Sequence, residues 1–209
     1  TALVIVESPA KAKTISEYLG DGYTVMSSVG HIRDLVTKKD LPDSEKNKPW
    51  AELGVDIKNN FEPHWIISKS SEKTVKELKR ALKKSSKLYL ATDEDREGEA
   101  IAWHLYEVLK PEIPVERMVF NEITQEAIDE AISNCRQIEM PLVYASVARR
   151  ILDRIFGFEL TGQTRQAIGG QASAGRVQSP TTRLLVERER ERRAFKDAGF
   201  YSLSFESLV

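Results

Sequence analysis

Cysteine is almost absent from this 209-residue chain, in which Cys135 stands alone. A single cysteine excludes an intrachain disulfide and a cysteine-rich zinc site, and it is compatible with a reducing cytoplasm. No apolar run approaches the ~18 residues of a membrane span, so we expect no bilayer crossing. Leu3 to Val6 is predicted to be a strand, and the residues before it lack the basic region of a signal peptide.

Positive charge is concentrated in one region, although the formal net charge is only −1. Residues 141–193 contain ten arginines, no lysine and five acids, which gives this region +5 and leaves −6 for the rest. Arginine without lysine favours forked binding to phosphate or carboxylate. Within residues 187–193, however, Glu and Arg alternate, a pattern typical of ion pairs along an exposed helix.

Apolar runs and helical patterns alternate from residue 2 to about residue 133, which predicts an α/β domain with a largely parallel sheet. Strands are predicted at 3–6, 23–29, 64–68, 88–91 and 115–120, with helices after Ser8-Pro9 and at about 70–84, 99–109 and 124–133. Residues 36–63 are polar and are expected to form an insertion with little regular structure.

The remainder is predicted to be mainly helical. A long helix starts near Pro141 and is expected to end or bend at Gly157. Residues 163–179 are predicted to be a loop, and a last helix covers about 180–193. Residues 201–205 alternate like the start of a strand.

Three carboxylates, Asp93, Asp95 and Glu97, alternate between a predicted buried strand and the helix after it. Open α/β sheets place their ligands at such connections. Crowded carboxylates repel one another unless a cation lies among them, and Mg²⁺ suits oxygen ligands. If strands 3–6 and 88–91 are neighbours, Glu7 joins this cluster. The alternatives are a solvated acidic loop and the usual enrichment of acids at a helix N-terminus.

Several basic residues lie where an anion could bind. Lys11 falls in the first turns of a helix, where the helix dipole favours acidic residues. A bound anion at the helix N-terminus would explain a lysine at this position. The alternative is that Lys11 is an ordinary surface lysine. His31 follows a predicted strand, although a lone histidine is more often structural. Arg150 and Arg154 lie four residues apart and project together, and Asp153 can orient a neighbouring arginine. Salt bridges across a helix surface would also explain this group.

Six segments resemble type IA DNA topoisomerases, in that family's order: residues 7–14, 30–35, 93–99, 120–124, 148–154 and 173–179. The first three resemble its Toprim domain, a Rossmann-like fold shared with primases and type II topoisomerases, whereas primases lack the later ones. The match weakens at Val36, where bacterial members often have proline, and through the insertion. The resemblance implies relaxation of negatively supercoiled DNA by cutting one strand, passing the other and resealing.

The resemblance also implies a role for each matched residue. The expected Mg²⁺ ligands are Asp93, Asp95 and Glu97. The expected catalytic residues around the scissile phosphate are Glu7, a candidate general acid or base, with Lys11 and Arg96. The expected DNA contacts are His31, Arg150, Asp153, Arg154, Arg176 and Gln178. The family's nucleophilic tyrosine precedes an Arg-Thr-Asp-Ser stretch, a context that none of the six tyrosines here has. That tyrosine is therefore expected beyond Val209.

These inferences predict three regions: a Toprim domain at 1–138 with a polar insertion at 36–63, a partial helical DNA-groove domain at 139–196, and the start of a truncated domain at 197–209. The expected cofactor is Mg²⁺. The expected setting is a cytoplasmic, nucleoid-associated monomer that binds single-stranded and negatively supercoiled DNA.

Other functions make different predictions. Another Toprim enzyme, such as a primase or nuclease, would have no arginine helix after the domain. A non-catalytic DNA-binding module would be unaffected by Mg²⁺. A small-molecule α/β enzyme is disfavoured because Gly22 and Gly98 do not form a dinucleotide-binding loop.

Overall fold

A four-stranded parallel sheet, ordered β2-β1-β7-β8, lies at the centre of the N-terminal region of the computed structural model, which describes residues 1–207. The strands of the chain are β1 (Ala2–Val6), β2 (Tyr23–Ser27), β3 (Arg33–Leu35), β4 (Val55–Asp56), β5 (Glu62–Pro63), β6 (Trp65–Ile67), β7 (Lys87–Leu90) and β8 (Val115–Arg117). The helices are α1 (Pro9–Leu19), α2 (Glu72–Leu82), α3 (Arg96–Leu109), α4 (Gln125–Ser133), α5 (Met140–Ile168) and α6 (Gln178–Ala194). The parallel sheet with flanking helices confirms the predicted α/β Toprim-like fold.

The core forms two layers, one on each face of the sheet, because successive strand side chains point to opposite faces. On one face, Leu3 and Ile5 pack with apolar residues of α2 and α3. On the other face, Val4 and Val6 pack with apolar residues of α1 and α4. β1 is therefore covered on both sides, and the carboxyl ends of β1 and β7 lie at one edge of the sheet.

The insertion is more ordered than its composition indicates. The predicted strand at 64–68 is present as β6, but it pairs antiparallel with β3 instead of joining the parallel sheet. β4 and β5 form a two-residue ladder, and Val36, Leu41 and Ala51 make a small core on which Trp50 packs. A strand as short as β3, with the sequence Arg-Asp-Leu, carries no apolar alternation by which its pairing could be predicted.

Several helix boundaries differ from the predicted ones. α3 begins at Arg96, three residues early, because Asp95 caps it and its side chain accepts a hydrogen bond from the N–H of Gly98. α5 runs through Gly157 to Ile168, so of the predicted end or bend at Gly157 the end is wrong, and the loop predicted at 163–179 begins only after residue 168. One glycine costs a helix only about 1 kcal/mol, which a 29-residue helix tolerates.

The described residues form two compact units, Thr1–Ile155 and the chain from Phe156 onward. The second unit holds the end of α5, a loop and α6, whose arginines pair with Glu187, Glu189 and Glu191 as predicted for a salt-bridged helix. Residues 201–205, predicted to start a strand, are not in a strand within the described part of the chain. A strand needs a neighbouring strand for its backbone hydrogen bonds, and none of the described residues pairs with this segment. None of the helices within residues 1–207 combines the length and apolarity that a membrane span needs.

Candidate active site

The carboxyl ends of β1 and β7 bring together residues from distant parts of the sequence. The two strands pair in parallel from Ala2–Lys87 to Ile5–Leu90, so Glu7 and Asp93 follow them at the same sheet edge. Lys11, in the first turn of α1, donates hydrogen bonds to Glu7 Oε1 at 2.6 Å and to Asp93 Oδ1. The predicted meeting of Glu7 with the acidic loop is therefore present, and a lysine bridges the two carboxylates.

The pKa values of the two bridged carboxylates shift in opposite directions. Burial raises the pKa of Glu7, and the neighbouring Asp93 raises it further, against the lowering effect of Lys11. Burial also acts to raise the pKa of Asp93, but hydrogen bonds from Glu7 and Lys11 outweigh it and lower the pKa. Because the two pKa values move apart, Asp93 stays ionised and Glu7 is the better proton carrier.

Asp95 and Glu97, the other predicted Mg²⁺ ligands, have separate protein partners. Asp95 caps α3 and accepts the Gly98 N–H at 2.6 Å. Glu97 Oε1 lies 2.6 Å from His31 Nε2, and Glu97 Oε2 accepts a hydrogen bond from Ser146 Oγ at 3.0 Å. Burial acts to raise the pKa of Glu97, but His31 and Ser146 outweigh it and lower the pKa.

These carboxylates do not form a compact metal cage. Across residues 1–207, no three His, Cys, Asp or Glu side chains converge closely enough to hold a metal ion. Mg²⁺ nevertheless keeps several waters and commonly takes one or two carboxylates together with substrate phosphates. The donors at this edge are all hard carboxylate oxygens. Their chemistry therefore fits Mg²⁺ bound in part by a phosphate.

A buried ionic network of Arg117, Glu99 and Arg136 contacts the acidic loop from the protein interior. It was not predicted from the sequence. Arg117 is fully buried and donates to the Asp93 carbonyl at 2.7 Å and to Glu99 Oε2 at 3.0 Å. Glu99 also accepts hydrogen bonds from Arg136 and from the Glu139 N–H. One signal was available: Glu99 precedes the core residue Ala102 by three positions, so it lies on the apolar face of α3 and needs a buried partner.

The acidic loop also approaches the start of α3 very closely. A Cβ added at Gly98 would lie 2.2 Å from the Asp93 carbonyl oxygen, so the backbone of the loop or of the helix would have to move to accept it. The Thr92 hydroxyl donates to the Gly98 carbonyl at 2.6 Å. Glycine at this position therefore allows the loop to fold back onto the helix N-terminus.

A pocket of about 590 Å³ opens beside the acidic edge, and its lining includes His31, Arg33, Arg96 and Arg150. The Arg33 guanidinium stacks over Trp103, and its Nε donates to Nδ1 of the buried His104. Burial, followed by the positive charge of Arg33, lowers the pKa of His104 to about 2. His104 is thus a neutral acceptor that orients Arg33, a pairing that the sequence pattern did not indicate.

The predicted DNA contacts are distributed over both units. In the first unit, Arg150 and Arg154 project together, as predicted, and both approach Asp34. Arg149 Nε lies 3.8 Å from Asp153 Oδ2 on the same helix. In the second unit, Arg176 precedes α6 and Gln178 is its first residue.

Comparison with protein families gives two matches. The Toprim domain model matches residues 2–123, and the model described as DNA topoisomerase matches residues 137–208. The match to the Toprim model covers the parallel sheet and both residues bridged by Lys11.

Individual relatives agree with these matches. DNA topoisomerase 1 of Synechocystis is 53% identical over 98% of this chain and 23% of its own length. The Mycolicibacterium smegmatis enzyme of the same name is 54% identical over 98% of the chain and 22% of its length. Full-length topoisomerase I from Thermotoga maritima superposes with a TM-score of 0.72 at 46% identity, covering 93% of this chain and 31% of that one.

The chain spans about a quarter of the length of the curated relatives that it matches. Its parallel sheet with flanking helices and both family matches agree with one another. The chain belongs to the bacterial DNA topoisomerase I family, of which it carries the N-terminal region with the Toprim domain.

Proposed function

We propose that this chain is part of a type IA enzyme that relaxes negatively supercoiled DNA by transient cleavage of one strand, strand passage and religation. The observation that carries the proposal is the Glu7–Lys11–Asp93 bridge at the joined ends of β1 and β7. It combines a proton carrier, a fixed positive charge and an ionised carboxylate, which are the groups that transesterification at phosphate requires. The chain would supply this site and part of a single-stranded DNA groove.

Each residue of the site has a proposed task. Glu7, with its raised pKa, would pass a proton to or from the reacting oxygen. Lys11 and Arg96 would stabilise charge on the phosphate. Asp93, Asp95 and Glu97 would hold Mg²⁺, which Toprim domains generally bind and which neutralises charge at the reacting phosphate. His31 and the arginines of α5 would position the strand.

The nucleophile is proposed to lie outside this chain. In the proposed reaction a tyrosine hydroxyl attacks phosphorus, a tyrosyl–phosphate bond forms, and the sugar oxygen leaves with a proton. The whole enzyme would be a monomer that works in the cytoplasm and associates with the nucleoid. The chain alone should form no covalent adduct with end-labelled single-stranded DNA in Mg²⁺. An adduct that is lost on Tyr→Phe substitution at any of its six tyrosines would contradict this part of the proposal.

The metal site is tested by thermal denaturation with and without Mg²⁺. We expect Mg²⁺ to raise the melting temperature modestly, because several of its ligands would be water, and Asp93→Asn/Asp95→Asn to abolish the rise. Asp21→Asn/Asp43→Asn is the matched control, since it removes the same charge from two exposed positions away from the site. Equal Mg²⁺ shifts in the wild type and Asp93→Asn/Asp95→Asn would favour a DNA-binding module without metal chemistry.

A further inference from the structure

A strongly basic segment that includes α2 lies outside the site described above. Residues 69–84 carry seven lysine or arginine side chains and two glutamates, a net charge of +5. Residues 141–193 reach the same net charge over about three times the length. None of the residues with a proposed task at the acidic edge belongs to this segment, so its charge needs a separate explanation.

Four of these cations form a single row along α2 and its C-terminal cap, which we call the basic stripe. They are all exposed and follow one another at intervals of three, four and three residues: Lys73, Lys76, Arg80 and Lys83. Such intervals place side chains on one face of a helix. Val75 and Leu78, on the opposite face, are buried in the core with residues of β1 and α3. The stripe is therefore the solvent face of an amphipathic helix.

The basic stripe has almost no ion pairs. Within residues 1–207, Lys73 approaches Glu77 at 4.0 Å, and the other three members make no ion pair. The arginines of α6, in contrast, pair with neighbouring glutamates.

This arrangement costs the helix stability. Like charges three or four residues apart repel one another on a helix surface. The helix dipole favours cations in the last turn, but Lys73 lies in the first turn, where it disfavours them. A bound polyanion would offset both effects and would explain why the charges are kept together.

The helix leads away from the acidic edge. Ser71, immediately before α2, donates its hydroxyl to the His31 carbonyl at 3.4 Å, and Ser68 lines the same pocket as His31. Beyond the other end of α2, the Ser86 N–H donates to the Thr1 carbonyl at 3.0 Å, next to the amino end of β1. The stripe therefore runs for roughly 15 Å from the carboxyl edge of the sheet toward its amino edge.

The composition of the segment favours duplex DNA over other polyanions. Lysine is a hydrated point charge that suits non-specific contact with a phosphate backbone. Sites for single strands combine basic residues with aromatic side chains on which bases stack, and residues 69–87 contain no aromatic residue. Helices that bind membranes insert their apolar face, whereas the apolar face of α2 is packed in the core.

We propose that the basic stripe binds the phosphate backbone of duplex DNA that flanks the single-stranded segment at the acidic edge. An underwound duplex opens only locally, so a strand bound for cleavage continues into double-stranded DNA. The stripe would hold this duplex without reading its sequence, because phosphate contacts carry no sequence information. The choice of DNA as the polyanion rests on the proposed function, although the stripe lies outside the single-strand groove proposed there.

The test compares binding of this chain to a fluorescent duplex and to a single-stranded oligonucleotide of the same length across a range of salt concentrations. Lys76→Gln/Arg80→Gln should lower the duplex slope of log affinity against log salt by about 1.8, because each lost contact with B-DNA is worth about 0.9. The slope for the single strand should not change. Lys58→Gln/Lys196→Gln removes the same charge from two exposed positions outside α2 and should keep both slopes.

Thermal denaturation without DNA separates binding from a structural role. Glutamine forms helices about as well as lysine and arginine, and the substitutions relieve repulsion within the stripe. The melting temperature of Lys76→Gln/Arg80→Gln should therefore equal that of the wild type or exceed it. A lower melting temperature with an unchanged duplex slope would make the stripe a stabilising feature and would overturn the inference.

Three binding results would also overturn it. Equal duplex slopes in the wild type and Lys76→Gln/Arg80→Gln would mean that the stripe contacts no duplex phosphate. An equal fall in slope on both oligonucleotides would make the stripe part of the single-strand groove. Binding to phosphatidylglycerol vesicles that depends on the stripe, without such binding to the duplex, would identify a membrane surface. If the wild type failed to bind only the single strand, the proposed groove would be refuted, whereas a duplex slope that falls in the variant would still support the stripe.

Discussion

His104 should make the protein lose stability on mild acidification. Its imidazole is buried against Arg33 with a pKa lowered to about 2, whereas histidine in an unfolded chain titrates near pH 6.5 (roughly the model-peptide value). Below about pH 6.5 the unfolded state therefore binds a proton that the folded state does not, and stability falls as pH falls.

The size of this effect follows from the one extra proton. Each pH unit below about 6.5 costs about 1.4 kcal/mol, so acidification from about pH 7.5 to 5 should remove about 2 kcal/mol. The carboxylates with lowered pKa, such as Asp34 and Glu99, lose their contributions only near and below about pH 4. Glu7 acts in the opposite sense, because its raised pKa gives stability that is lost as pH rises.

The assay is urea denaturation of the wild type and His104→Asn at a series of pH values between 5 and 7.5. Asparagine can place a neutral oxygen near the Nδ1 position that accepts from Arg33, but it does not titrate. The variant should lose the acid-dependent slope, whatever its absolute stability. Tyr106→Asn is the control, since it lies at an exposed position of the same helix and should keep the slope. A His104→Asn profile parallel to the wild type would refute the reasoning.

Two further predictions concern the support of the acidic loop, and both are measured by urea denaturation. Gly98→Ala should destabilise the protein by about 1–3 kcal/mol, because the new methyl group would meet the Asp93 carbonyl oxygen at 2.2 Å. Glu99→Gln should cost about 3–5 kcal/mol, because it leaves the buried Arg117 without its counter-charge.

Matched controls separate these effects from general ones. Gly157→Ala, also within a helix, has open space around the new Cβ and should stabilise by about 0.5–1 kcal/mol. Glu94→Gln removes an exposed carboxylate of the same loop and should leave the midpoint almost unchanged. If Gly98→Ala stabilised the protein as Gly157→Ala should, the close approach of the Asp93 carbonyl to Gly98 would be wrong. A Glu99→Gln midpoint equal to that of Glu94→Gln would remove the ionic network from the support of the loop.

Local sequence determined the main strands and helices of the parallel sheet, and it fixed the start of some of them. Apolar runs such as Leu3–Val6 predict buried strands, and the caps Ser8 and Thr124 were predictable because a capping side chain bonds a backbone N–H only a few residues away. The parallel order of strands then placed Glu7 and Asp93 at one edge, since the carboxyl ends of parallel strands coincide. The position of the acidic site was therefore predictable.

Only the tertiary structure decided which side chains pair at that site. Asp34 meets Arg150 across 116 residues, and His31 meets Glu97 across 66, distances in sequence over which no periodic pattern carries information. The same holds for β6, whose partner β3 is too short to be recognised. Periodicity reports the face on which a side chain lies, whereas the partner of a charge depends on packing between elements brought together by the whole fold.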